Sequence, residues 1–258
     1  VGPWLYYFIS IVFDRYEMLA FAAEKYNIKY TKEPIYDPDC WVPIDYADFN
    51  YQFYSDEWNY YLYSEIIKYT KLIPTKKSTC KLTPNHHNRI SGKYRFLKSF
   101  LFLLTKLTRT SVKKVLFVEV DIPQLSLYKL FYKLKNFSFS YYLRVKPKFF
   151  KLDHLLRARF FHKSNSEKDF EKLLDKLIPM NIPISYVEGY EDLVKNSAQI
   201  FPKKIKLIIT SAAHVSNEHF KVWCAGQKLN NAKLWILVHG GHHGNALFNG
   251  PGKFSEDI

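Results

Sequence analysis

Cysteine is scarce, with three in 258 residues at positions 40, 80 and 224. So wide a spacing gives neither a disulfide framework nor a zinc-ligand pattern, and it suits a reducing cytosol. Glycine is scarce as well, nine in all. No low-complexity linker is visible, and neither the phosphate-loop nor the dinucleotide fingerprint occurs. Long apolar runs are missing. The most apolar segment, 96–107, is interrupted by Lys98 and Lys106 and is too short to span a bilayer. Acidic residues are the minority charge, 24 against 38 Lys and Arg, for a formal net charge of +14. Only seven of those 38 are Arg, so bidentate phosphate readers are few. No nucleic-acid motif accompanies the charge, and no nucleic-acid partner is expected. There is no initiator Met, the first residues already read as helix interior, and 254–258 read as the entry to another element. The chain is therefore expected to be a fragment, and the lack of a secretory leader excludes nothing.

What is present is apolar bulk and segregated charge. Hydrophobic residues make up 47% and aromatics 18%, enough for a substantial core. Residues 33–65 hold eight acidic residues and no Lys or Arg, whereas 66–118 hold thirteen Lys or Arg and no acid. Such blocks either face each other or are solvated. The alternative is a basic surface for anionic lipid or a polyanion.

Along the chain, 2–25 reads as a helix with Leu5, Phe8, Val12, Leu19 and Ala23 near one face. Asp14 and Arg15 are expected to form an ion pair there. Pro34, Pro38 and Pro43 make 28–50 irregular. Ser55 caps a second helix reaching about Lys71, with Trp58, Leu62, Ile66 and Tyr69 on its apolar face. Residues 72–92 read as a polar loop that exposes His86 and His87. An amphipathic helix follows over 93–109. Residues 114–120 form a buried strand, 124–135 a helix and 137–145 an alternating strand. Glu119 and Asp121 close the strand at its carboxyl end, as salt-bridge partners or as cleft acid–base groups. Ser166 caps a helix ending before Pro179. A short strand is expected at 183–188 and a helix at 190–198.

The densest signal lies between 206 and 252. Two short runs rich in apolar and β-branched residues, 206–210 and 234–238, read as strands buried on both faces. Between them Ser216 can cap a helix whose stripe is Phe220, Trp223 and Cys224. Strand–helix–strand of this length is a parallel crossover. Past the second strand comes His239-Gly240-Gly241-His242-His243-Gly244. Open α/β sheets place ligands at that carboxyl edge. Three readings stand open. Backbone N–H groups of the glycines approach an anion or sugar beside acid–base imidazoles; the histidines ligate a metal, although no carboxylate or thiolate has matching spacing; or the stretch is a glycine turn with surface histidines. The element order indicates an α/β domain with a mostly parallel sheet and helices on both faces. The expected division is a mainly helical region over 1–110 and the α/β domain over 111–258.

Several short motifs are similar to a transferase family found among surface-carbohydrate biosynthesis proteins and related to GT-B glycosyltransferases. They are Gly2-Pro3-Trp4-Leu5, Asp14-Arg15-Tyr16, Ile182-Pro183, Tyr186-Val187-Glu188-Gly189-Tyr190, the run 218–225 and the run 239–244. Val238 stands where that family usually has Gln, and His243 where it often has Tyr. The resemblance implies a Rossmann-type, acceptor-side half of a GT-B-like enzyme, with the donor-binding domain following residue 258. It implies His239 as the catalytic base, with Gly240, Gly241, His242, His243 and Gly244 shaping a substrate pocket. Ser211 and His214 would form the adjacent wall. A nucleotide-sugar donor and a glycan or lipid-linked acceptor would be the partners, with no metal or other cofactor. The location would be cytoplasmic, with contact at the inner face of the membrane. The rival reading is a non-catalytic, peripheral-membrane or polyanion-binding α/β domain.

Overall fold

The computed structural model describes residues 1–84, 115–133, 150–160 and 167–237. The expected 93–109 helix, the 137–145 strand, His86, His87, Ser166 and the whole His239–Gly244 loop lie outside the described residues.

In chain order the first described elements are helix α1 (Gly2–Lys25), strand β1 (Thr31–Ile35), a 3₁₀ turn (Pro38–Trp41), α2 (Tyr46–Gln52), α3 (Asp56–Thr70) and β2 (Thr75–Lys81). Then come β3 (Val115–Val118), α4 (Gln124–Lys133), α5 (His154–Ala158), α6 (Asp169–Asn181) and a 3₁₀ turn (Ile184–Tyr186). The last are α7 (Tyr190–Ile200), β4 (Leu207–Thr210), α8 (Ala213–Ser216), α9 (Glu218–Leu229) and β5 (Lys233–Ile236). The protein is a mixed α/β fold in which both described sheets are parallel. The chain divides into two compact units, Val1–His87 with Pro147–Tyr190, and Asn88–Lys146 with Glu191–Ile258.

In the first unit the core is aromatic. Trp4 and Phe8 of α1 stack at 5.1 Å, Phe49 of α2 meets Trp58 of α3 edge-on at 5.8 Å, and Trp41 lies flat on Tyr61 at 5.0 Å. These rings are essentially inaccessible. Rings so placed add about 0.5–1.5 kcal/mol per pair beyond the area they bury. Ser55 caps α3 as the sequence predicts, its Oγ accepting from Trp58 N–H at 3.2 Å. Lys71 ends that helix in the left-handed region at φ 56°. Asp14 and Arg15 form the expected ion pair, and Arg15 Nε also donates to Asn59 Oδ1 at 3.0 Å.

Three local expectations need correction here. Part of the expected loop after residue 72 is strand β2, paired in parallel with β1. Its sequence, TKKSTCK, is almost wholly exposed and has no apolar alternation, so no period marks it. The β1–β2 register shifts between Glu33 and Ile35, where Pro34 has no N–H to donate. Helix α6 does not stop before Pro179 but runs through it to Asn181. The expected strand at 183–188 is a 3₁₀ turn, although the Ile184 and Ser185 N–H groups still reach Pro43 O and Ile44 O at 2.9 Å each.

The second unit holds the sheet β3-β4-β5, all parallel, in register Val115↔Leu207 and Leu207↔Lys233. All three expected strands thus share one parallel sheet. Leu116, Val118 and Ile208 pack on one face with Phe220, Trp223 and Cys224 of α9. Phe117 and Ile209 pack on the other with Leu127 and Phe131 of α4. Covering both faces is why β3 and β4 need apolar residues at successive positions; β5 departs from the expectation of burial on both faces, with Lys233 and Trp235 exposed. Each fully buried large side chain contributes about 1.5–3 kcal/mol. Among the described residues no helix is long and apolar enough to cross a membrane.

Candidate functional site

Several buried polar groups of the second unit gather at the carboxyl edge of β3 and β4. Beyond Val118, Glu119 turns into the left-handed region at φ 45° while only 8% exposed. A non-glycine residue there costs on the order of 1–2 kcal/mol, and such strain persists only where surrounding bonds fix it. Two bonds do so here. Ser211 N–H donates to Glu119 O at 3.2 Å, and Asn217 Nδ2 donates to the Glu119 carboxylate at 2.8 Å. Asp121 is exposed, and its N–H donates to Ser211 Oγ at 3.0 Å. Glu119 and Asp121 therefore differ: the first is a buried anchor and the second faces solvent.

From β4, Thr210 Oγ1 accepts from Ala213 N–H at 3.0 Å, turning the chain into the short helix α8. Ser211 is 3% exposed and His214, on α8, is 7% exposed. The sequence puts these two beside each other at the edge, and the structure seats both in buried positions there. The cap of α9 is Asn217 rather than Ser216, which occupies the last turn of α8. Asn217 Oδ1 accepts from Phe220 N–H at 3.1 Å while its amide nitrogen holds Glu119. One side chain thus starts a helix and fixes the end of the neighbouring strand. Sequence alone could have nominated Asn217, since Asn is among the best helix caps. Its second bond has no local signal.

At the third strand, Leu237 N–H donates to Thr210 O at 2.7 Å. His239 follows two residues later in the sequence, and His239, Gly240, Gly241, His242, His243 and Gly244 lie outside the described residues. Among the described residues no cluster of His, Cys, Asp or Glu could hold a metal ion.

Two of the motifs that carry the resemblance are structural in the described residues. In 186–190, Glu188 takes a bidentate pair from Arg157, at 2.6 Å from Nε and 2.8 Å from Nη2. The Arg157 and Glu188 side chains are 1% and 6% exposed. Arg157 Nη1 also donates to Pro179 O at 3.1 Å and to Ile182 O at 2.9 Å. The guanidinium thereby satisfies two carbonyls at the end of α6, where Pro183 has no N–H to offer Pro179 O and the last turn has no helical donors. Burial alone would raise the Glu188 pKa. Hydrogen bonds from Arg157, from the Asp153 N–H and from its own N–H outweigh burial and hold it below the ordinary carboxylate value. Gly189 sits where a Cβ would lie 3.2 Å from Phe150 and 3.3 Å from Ile184 O. In 218–225, Glu218 is buried against Lys221 at 2.6 Å and Trp223 Nε1 donates to Pro202 O at 2.8 Å. Burial pushes the Cys224 thiol up to about 11.

A parallel sheet flanked by helices on both faces defines an α/β protein. The chain belongs to the LIC12162 family of transferases, whose family model matches residues 1–258. No curated protein and no solved structure matches it.

Proposed function

We propose that the chain is the acceptor-side half of a glycosyltransferase-like enzyme of cell-surface polysaccharide biosynthesis, with GT-B-like division between an acceptor-side and a donor-binding domain. Membership of a transferase family supports the reaction type. The observation that carries the location is the carboxyl edge of β3-β4-β5, where Glu119, Ser211, His214 and Asn217 converge. The His239–Gly244 run follows the third strand of that edge.

In this reading an acceptor hydroxyl gives its proton to the His239 imidazole as its oxygen bonds to the anomeric carbon. The bond from that carbon to the donor phosphate breaks, and a nucleoside diphosphate or monophosphate leaves. Imidazole has the pKa for a base of this kind near neutral pH. Gly240 and Gly241 give the acceptor or the leaving phosphate close access to backbone N–H groups. His242, His243 and Gly244 shape the pocket, and Ser211 and His214 support its neighbouring wall. The acceptor is a glycan or a lipid-linked glycan, met in the cytoplasm or at the inner membrane face.

Nucleotide release from UDP-, GDP- and CMP-linked sugars, measured with the full-length enzyme, tests this. His239→Ala should lower turnover by roughly two to four orders of magnitude with an unchanged melting temperature. Near-normal turnover in that variant sinks the assignment.

A further inference from the structure

A cleft lies wholly within the first unit, between α1, β1, α3 and the start of β2. It measures about 510 Å³, inside the range of about 300–1,000 Å³ common for small-molecule sites. Its apolar wall is Leu19, Ile28, Ile67 and Ile73. Ile67 and Ile73 are buried, whereas Leu19 and Ile28 are half-buried. Tyr30, Tyr60 and Tyr63 add ring surface. The polar lining is unequal in charge: Lys32, Lys68 and Lys71 stand against a single carboxylate, Glu33. Glu33 is engaged by Thr75 Oγ1 at 3.4 Å, and Lys68 pairs with Glu65 at 3.2 Å. Lys32 and Lys71 are exposed, and Lys76 Nζ sits 3.8 Å over the Tyr30 ring. Three of these cations, Lys68, Lys71 and Lys76, come from the basic stretch that the transfer reaction leaves without a role.

We infer that this cleft binds an amphipathic anion, with an apolar chain or ring system against the isoleucines and tyrosines and a phosphate or carboxylate head at the lysines. The apolar wall gives affinity in proportion to the surface it buries. The lysine excess selects the sign of the head group. The site needs neither the carboxyl edge of β3-β4-β5 nor the transfer reaction. Such a ligand can be a free soluble amphiphile or the head and upper chain of a bilayer lipid.

Calorimetric titration with alkyl phosphates below their micellar concentration tests the site by binding alone. Octyl phosphate should bind at one saturable site. From butyl to octyl phosphate, affinity should rise about fourfold for each methylene that enters the cleft. Octyl glucoside and inorganic phosphate should each bind at least tenfold more weakly. The double variant Lys32→Glu/Lys71→Gly should weaken octyl phosphate at least tenfold without loss of stability, because Gly suits the left-handed position that Lys71 occupies. Equal affinity for octyl phosphate and octyl glucoside, no gain with chain length, or an unchanged double variant would each overturn the inference. Sedimentation with phosphatidylglycerol vesicles then separates the sources. Vesicle binding competed away by octyl phosphate supports the site and identifies a membrane lipid. Octyl phosphate binding without vesicle binding supports it and identifies a free amphiphile.

Discussion

Replacing Arg157 by Met would remove a cation whose side chain is 1% exposed and leave Glu188, at 6%, facing backbone N–H groups alone. Breaking a buried pair from one side costs about 3–5 kcal/mol, because the remaining charge is uncompensated. Pro179 O and Ile182 O lose their donor in the same step. For a urea slope of roughly 2 kcal/mol/M, the unfolding midpoint should fall by about 1.5–2.5 M. Circular dichroism melts in urea read the shift, and hydrogen exchange at the α6 amides assigns it to the first unit. The double variant Arg157→Met/Glu188→Leu should lie between wild type and Arg157→Met, since it removes the stranded charge but not the open carbonyls. The pair also has a pH signature. The folded pKa of Glu188 is depressed, so its contribution is fully present above the unfolded carboxylate value and is lost as pH falls through the folded one. Glu188→Gln should therefore flatten the acid side of the stability profile below about pH 4.3. A midpoint within 0.3 M (about 0.6 kcal/mol at the same slope) of wild type for Arg157→Met, or an unaltered acid profile for Glu188→Gln, refutes the assignment.

Asn217→Ala should destabilise the second unit by about 1–3 kcal/mol, through the lost cap and the lost Glu119 bond. Asn217→Asp keeps the cap but sets a second carboxylate against Glu119, so a thermal melt should show it no more stable than Ala. Gly189→Ala should cost about 1–3 kcal/mol, because its Cβ meets a ring and a backbone oxygen at 3.2–3.3 Å; a denaturation midpoint at or above wild type contradicts this. With a thiol-specific disulfide reagent at pH 8, Cys40 and Cys80, both exposed, should react in the folded protein. Cys224, buried and with its pKa pushed up to about 11, should react only on unfolding. A third thiol that reacts at the same rate as the others would place Cys224 wrongly.

The second unit's sheet was legible because burial on both faces forces an apolar residue at nearly every position, as in 115–118 and 207–210. Ser55 was legible because a cap is a local bond between residues three apart. Strand β2 was not, since an exposed strand answers to its partner's backbone and not to any side-chain period. Arg157, 22 residues before Pro179, satisfies the carbonyls at the carboxyl end of α6, and no local window contains both residues. The pairing of Asn217 with Glu119 spans 98 positions and was equally hidden. Of the expected site, Ser211 and His214 could be placed at the sheet edge from strand order alone. The left-handed turn at Glu119 that aligns this edge has no glycine to announce it.

The interleaving of the two units has a consequence during synthesis. Residues 1–87 emerge first, yet their unit is completed by 147–190. Phe170 of α6 packs on Phe13 and Tyr16 of α1, at 5.2 and 5.4 Å. At about 5–20 residues per second, the intervening 88–146 take roughly 3–12 s to translate. For that interval α1 and α3 stand on the ribosome without α6, with Phe13, Tyr16 and Tyr61 lacking their later neighbours. A nascent chain stalled near residue 146 should hold a chaperone longer than one released past 190, in which Phe170 has joined Phe13 and Tyr16 and Asn181 has joined Tyr61.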